Sequence, residues 1–164
     1  MLSPRSLATA AAAAAFTMTA SSAWALNGTC VLTPLQVAGT HGFAATGTAL
    51  ANTAFAPAGP FTQAGTITHA VDSATFGAIT GRWSVTLTQT DTSGQAKVVQ
   101  FGGNYRLDTK TCTSDLTLTS PAPLAAIVGN NLVFREIWVA NGDELRTIAL
   151  IPNLIIGYTS ARKL

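Results

Sequence analysis

Short segments separated by Gly, Pro, Asn and Asp make up the sequence after residue 39, and this division limits the fold more than any other feature. In the clearest segment, 82–90, apolar Trp83, Val85 and Leu87 alternate with polar residues, so one face packs and the other meets solvent. Such spacing is typical of a sandwich or barrel of antiparallel strands. We predict strands at 41–51, 61–71, 74–80, 82–90, 96–108, 112–119, 131–140 and 144–151, with 154–163 as a ninth segment that closes the sheet or replaces a weaker early strand.

Many short strands with almost no helix must protect their edges, and closing the sheet on itself protects all of them. The predicted fold is therefore all-β, an antiparallel closed β-barrel of about eight strands with negligible helix. The interior of such a barrel is either filled by side chains or holds one small ligand.

Two parts of the chain depart from the alternating pattern. The C-terminal segments 132–139, 145–151 and 154–156 carry apolar residues on both faces, which predicts strands that are buried on both faces or pack against another layer. The segment 121–128 is compatible with helix, but flanking Pro and Gly limit it to one turn or a loop.

Residues 1–25 have the pattern of an export signal. Arg5 precedes an apolar, Ala-rich run, and Ala23-Trp24-Ala25 supplies a small-x-small cleavage pattern. We expect cleavage after Ala25, leaving residues 26–164 as a single β-barrel domain that is secreted or periplasmic. No membrane span is expected, because no stretch approaches ~20 uninterrupted apolar residues.

Charge and composition exclude some partners without selecting one. The chain without residues 1–25 keeps eight Lys plus Arg against seven Asp plus Glu, all scattered, so nucleic acid and membrane surfaces are disfavoured as partners. It also contains 22 Thr, a β-branched residue that favours strands. That composition fits a ligand-binding barrel and an exported structural protein equally well.

The chain has two cysteines, Cys30 and Cys112, and an even count behind an export signal predicts one disulfide. In the chain-entropy model, closing so long a loop stabilises the fold by at most about 4 to 5 kcal/mol. These cysteines with the isolated His41 and His69 do not form a tetrahedral ligand set, so we expect no metal, and no motif indicates a cofactor.

Segment 103–116 contains a Gly-x-Tyr strand, a turn and a Cys-Thr strand. In this it resembles a family of small exported bacterial proteins, mostly uncharacterised, that have Asp where Thr111 stands and Gly where Ser114 stands. Segments 39–43 and 157–162 are similar to the opening and the close of the same family. The resemblance implies an eight-stranded barrel of the allene oxide cyclase and dirigent type, and it supplies no catalytic motif.

The best local candidates for a catalytic group are Glu136 and, on the opposite face of the same segment, Arg135. If the face that Glu136 shares with Phe134 and Trp138 points inward, its carboxyl is buried in an apolar barrel, where a general acid or base is commonly found. The opposite face is equally apolar, and we expect it to be the inner one, with Glu136 facing water. Candidates for lining a ligand pocket are Trp83, Tyr105, Phe134 and Trp138.

Three functions fit this sequence. The leading hypothesis is a non-catalytic exported barrel that binds a small apolar ligand or a surface partner. The alternative is an isomerase or cyclase acting on a hydrophobic substrate inside the barrel, with Glu136 as acid or base. The third is a surface or matrix structural protein. The sequence contains neither a Gly-x-Ser-x-Gly elbow nor a phosphate-binding Gly loop, so hydrolase and nucleotide-binding functions have no support.

Overall fold

The computed structural model describes residues 31–53, 55–122, 132–156 and 159–164. The predicted export signal at 1–25 and most of the helix-compatible segment 121–128 lie outside these ranges. Within them, no helix is long and apolar enough to cross a membrane.

The described residues form short helical turns and nine strands. The helical turns are α1 (Pro34–Val37) and a 3-10 turn (Ala140–Gly142). The strands are β1 (Gly39–Ala49), β2 (Gly59–Thr75), β3 (Ala78–Thr90), β4 (Ala96–Asp108), β5 (Thr113–Ser120), β6 (Leu132–Val139), β7 (Glu144–Ala149), β8 (Leu154–Ile156) and β9 (Thr159–Lys163).

The strands close into a barrel. Neighbours pair antiparallel in the order β1 to β7, then β9, and β9 returns to β1 through the pairs His41 with Lys163 and Phe43 with Ala161. The predicted all-β, eight-stranded closed antiparallel barrel is confirmed. The ninth segment closes the sheet, because β9 completes the ring while β8 pairs with the other end of β1.

One predicted strand, 74–80, is wrong. β2 continues to Thr75 and β3 begins at Ala78, so this segment holds the paired ends of two long strands and the hairpin turn between them, at residues 76 and 77. Gly77 has a φ of 90°, a conformation that glycine adopts without the steric cost of a side chain. The fully exposed Phe76 beside it gives the turn the apolar character that made it resemble a strand.

The prediction that the C-terminal strands are buried on both faces is also wrong. Ile148 on β7 is 50% exposed and Ile155 on β8 is 55% exposed. A barrel has one core, inside the ring, and no second layer of the described residues covers these outward side chains.

The helix α1 packs at the barrel end where β1 begins. Thr33 and Gln36 form a reciprocal capping box at its N-terminus, and Val37 is fully buried in the core. The Lys163 ammonium on β9 donates to the carbonyls of Leu35 and Gln36, at 3.2 Å each. These contacts hold the N-terminal arm against the barrel.

Candidate functional site in the barrel interior

The barrel interior contains an apolar cavity of about 60 Å³, partly open to solvent. Its lining comes from the inward faces of the strands and from the segment that joins β1 to β2. Among the residues that the structure describes, no Lys, Arg, His, Asp or Glu lines it. The lining residues include the apolar Phe43, Phe55, Ile67, Trp83, Val85, Leu87, Val99, Phe101, Leu116, Phe134, Leu154 and Ile156, and the polar Gln63, Gln89 and Thr147.

Four aromatic rings that line the cavity contact one another, those of Phe55, Trp83, Phe101 and Phe134. Trp83 packs edge-to-face on Phe101 and Phe134, with ring centroids 5.7 and 5.9 Å apart. The Trp83 indole N–H donates to the carbonyls of Asn104 and Thr117, at 3.1 and 3.2 Å. Because that polar atom is satisfied by backbone, the rest of the ring can face the cavity at no cost in hydrogen bonding.

Phe55 reaches this aromatic group from the segment between β1 and β2. Its ring lies edge-to-face on Phe101 and Phe134, at centroid distances of 5.6 and 6.3 Å. Thr53 fixes the local backbone, since its hydroxyl oxygen accepts from the N–H groups of Phe55 and Ala56 at 3.2 and 2.9 Å. Phe55 is therefore a side chain from a connecting segment that occupies interior space.

A second group of inward side chains, which we name the polar cluster, consists of His41, His69, Tyr105, Ser114, Glu136 and Trp138. Glu136 Oε2 lies 3.1 Å from His69 Nε2 and accepts a hydrogen bond of 2.8 Å from the Ser114 hydroxyl. The Trp138 indole N–H donates to the same hydroxyl at 2.9 Å. Neither Glu136 nor His69 lines the cavity, so the cluster is separate from it.

The expectation that Glu136 faces water is wrong, because its side chain is 0% exposed. Its neighbour Arg135 points outward instead and pairs with Asp115 at 2.7 Å on the surface. His69 and Ser114 stabilise the inward position of the Glu136 side chain, and neither residue was predicted to belong to the site. In the alternation of each strand, His69 and Ser114 fall on the same face as buried apolar residues, and this alternation is the sequence signal that could indicate their inward position.

His41 is a fully buried imidazole. Burial lowers the pKa of His41, and the Gly142 carbonyl, 2.9 Å from Nε2, raises it by a smaller amount. A carbonyl can only accept, so Nε2 carries the proton and donates. The His41 ring also lies edge-to-face on Trp138 and His69, at 5.7 and 6.1 Å between centroids.

Several buried polar atoms of the cluster have no hydrogen-bond partner among the described residues. They are His41 Nδ1, His69 Nδ1, Tyr105 Oη and Glu136 Oε1. Burial raises the pKa of Tyr105, so its phenol stays protonated. An unsatisfied buried polar atom costs about 1–3 kcal/mol, so these four atoms lower the stability of the fold, and such groups are common at functional sites.

The structure distributes the predicted ligand-lining residues over both interior regions. Trp83 and Phe134 line the cavity, whereas Tyr105 and Trp138 belong to the polar cluster. No group of three or more His, Cys, Asp or Glu side chains within the described ranges could hold a metal ion.

Cys112 is partly buried and packs against the core at the start of β5. Its predicted disulfide partner, Cys30, lies outside the described residues. The Cys30–Cys112 bond stays a prediction.

No protein-family model matches the chain, and no curated protein matches it. The resemblance to exported bacterial barrels of the allene oxide cyclase type therefore stays a prediction.

The low pKa of His41 predicts a loss of stability in acid. Between the usual histidine pKa of about 6.5 and the lower pKa of His41 in the folded protein, the unfolded chain binds more protons at His41 than the folded chain does. The free energy of unfolding should therefore fall as pH decreases, by up to about 1.4 kcal/mol per pH unit from this residue. Urea unfolding between about pH 7.5 and about pH 5 measures this slope.

The matched variant is His41→Gln, whose amide can still donate to the Gly142 carbonyl but does not titrate. His69, Glu136 and Lys163 act on His41 electrostatically and are present in both proteins, so the difference in slope isolates His41. Equal slopes for the two proteins would show that His41 protonates in the folded state.

Proposed function

We propose that this protein binds a small apolar molecule inside its barrel, in the cavity beside Trp83, Phe101 and Phe134. The observation that carries the proposal is the cavity itself, about 60 Å³ in volume and partly open, to which the described part of the chain contributes no charged side chain. Burial of apolar surface provides about 25 cal/mol per Å², so such a lining favours apolar molecules over polar ones. Export from the cell and a surface of low charge are compatible with a carrier or sequestering role.

The volume of the cavity limits the ligand. An engineered apolar cavity that binds benzene measures about 150 Å³, more than twice the space here. A ligand of that size must occupy the position of the Phe55 ring or shift it outward. Phe55 stands on a connecting segment rather than on a strand, so its displacement need not break the pairing of the barrel strands.

The alternative hypothesis, an isomerase or cyclase acting inside the barrel, is favoured by the buried His69–Glu136 pair and its unpartnered atoms. A carboxyl group beside an imidazole, both without access to solvent, can take part in proton transfer. Against it, neither residue lines the cavity, so a ligand bound there would not touch the carboxyl. Binding is therefore the better-supported function, ahead of both catalysis and a structural role at the cell surface.

Shortening Phe55 tests the proposal. Phe55→Ala should enlarge the cavity and bind toluene more tightly than the wild type, by about fourfold for each additional methylene-sized group that becomes buried. The variant should also lose about 3 kcal/mol or more of stability through lost packing. Isothermal titration calorimetry measures binding, and urea unfolding measures the stability.

Phe76→Ala is the matched control, because Phe76 is fully exposed and its removal leaves the interior unchanged. That variant should bind toluene as the wild type does. If neither the wild type nor Phe55→Ala shows saturable toluene binding, the proposed function is wrong.

A further inference from the structure

Two glutamines face each other in the lining of the otherwise apolar cavity. Gln63 on β2 and Gln89 on β3 are directly paired in strand register, and the Gln63 amide donates to Gln89 Oε1 at 2.9 Å. Gln89 is only 4% exposed, and both side chains line the cavity. No polar atom of either amide is both buried and without a partner, so the amide atoms that the Gln63–Gln89 bond leaves unused are reached from the cavity or from solvent.

The pair uses only part of its hydrogen-bonding capacity. Each primary amide has two N–H donors and one carbonyl oxygen with two lone pairs, and one bond joins the two side chains. Among the described residues, no other side-chain hydrogen bond involves either amide. The pair therefore has unused N–H donors as well as unused carbonyl lone pairs. The same holds if the oxygen and nitrogen of both amides are exchanged.

The rest of the lining decides which ligand these groups suit. Thr147 is the one other polar side chain among the lining residues, and none of them carries a charge. A carboxylate or an ammonium group buried here would have no counter-ion, and burial of an unpaired charge is strongly unfavourable. A neutral hydroxyl, carbonyl or amide group has no such cost and can bond to the glutamine pair.

We infer that the ligand is an uncharged molecule with an apolar body and one hydrogen-bonding oxygen group, which binds to the Gln63–Gln89 pair. This inference rests on the proposed function and narrows its ligand class from apolar molecules in general to neutral alcohols, carbonyl compounds or amides. The aromatic side of the cavity holds the apolar body, and the glutamine pair orients the polar group.

Three compounds with one ring test the inference: toluene, which has no polar group, benzyl alcohol, which has a hydroxyl, and benzoate, which is charged. Their affinities are measured by calorimetry at neutral pH for the wild type and for the double variant Gln63→Leu/Gln89→Leu. Replacing both partners together leaves no amide unpaired, so the double variant should fold with nearly unchanged stability. Gln89→Met serves as a second variant if the double variant does not fold.

The measured quantity is the affinity for benzyl alcohol divided by the affinity for toluene. Loss of one ligand hydrogen bond should lower this ratio about 2- to 12-fold in the double variant. Gln100→Leu, a control at an exposed glutamine on the outer face of β4, should leave it unchanged. Benzoate should bind the wild type more weakly than benzyl alcohol.

The outcomes separate this inference from the function on which it rests. If toluene and benzyl alcohol bind but their ratio is the same in the double variant, the glutamines pair for structural reasons only and the inference is overturned while ligand binding stands. Benzoate binding as tight as that of benzyl alcohol overturns the restriction to uncharged ligands. If none of the three binds either the wild type or Phe55→Ala, the proposed function fails as well.

Discussion

Gly103→Ala is expected to destabilise the barrel by about 4 kcal/mol or more, enough to leave much of the protein unfolded. A Cβ added at Gly103 would overlap the carbonyl oxygen of Thr117 on β5, and backbone cannot move aside as a flexible side chain can. The pairing of β4 with β5 is irregular at this point, between Gly102 and Gly103. Strands β4 and β5 would have to separate, which breaks their hydrogen bonds and opens the barrel wall.

Gly42→Ala provides the comparison, because Gly42 is also a strand glycine of this barrel. Its added Cβ would meet only the end of the Leu164 side chain, at 3.1 Å, and that side chain can move. We expect a change below about 1 kcal/mol in urea unfolding. A Gly103→Ala protein as stable as Gly42→Ala would mean that β4 and β5 are not packed as described.

Glu136→Leu is expected to have the second largest effect, a loss of about 3–5 kcal/mol, because it removes one partner of a buried pair. His69 would lose its carboxylate partner and Ser114 its acceptor, both in a region without access to solvent. Most of this loss of stability comes from the buried polar groups of His69 and Ser114, which are left without a partner. The double variant His69→Phe/Glu136→Leu should therefore be more stable than Glu136→Leu alone, with a coupling of about 1–3 kcal/mol.

Arg135→Leu, at the neighbouring residue, controls for the strand and for the loss of a charge. The Arg135–Asp115 pair is about half exposed, so its removal should change the free energy of unfolding by less than about 1 kcal/mol. Additive effects of the single substitutions at His69 and Glu136 would show that the two side chains do not interact in the folded protein.

The sequence predicted the barrel but not its interior, and β6 shows why. Closure follows from short alternating strands, which are visible locally, as in segment 82–90. The choice between the two apolar faces of β6 depends on partners distant in the chain, since His69 is 67 positions and Ser114 is 22 positions from Glu136. Such pairs form only after the strands are in register, and a single sequence does not contain that register.

Phe55 and Gln89 illustrate the same limit for the cavity. Phe55 stands in a connecting segment that carries no periodic pattern, so nothing local indicates that its ring points into the barrel. Gln89 follows the inward parity of Trp83, Val85 and Leu87, but a glutamine in that place is typical of a strand end. That Gln89 pairs with Gln63 is known only from the register of β2 against β3.

NMR spectra of methyl-labelled protein, titrated with toluene, can detect the entry of a small uncharged molecule into the barrel. We predict saturable shifts for methyl groups that line the cavity, including those of Ile67, Leu87 and Val99, and none for the outward Ile148 and Ile155. Shifts confined to the exposed isoleucines, or the absence of any shift at high toluene concentration, would contradict binding inside the barrel.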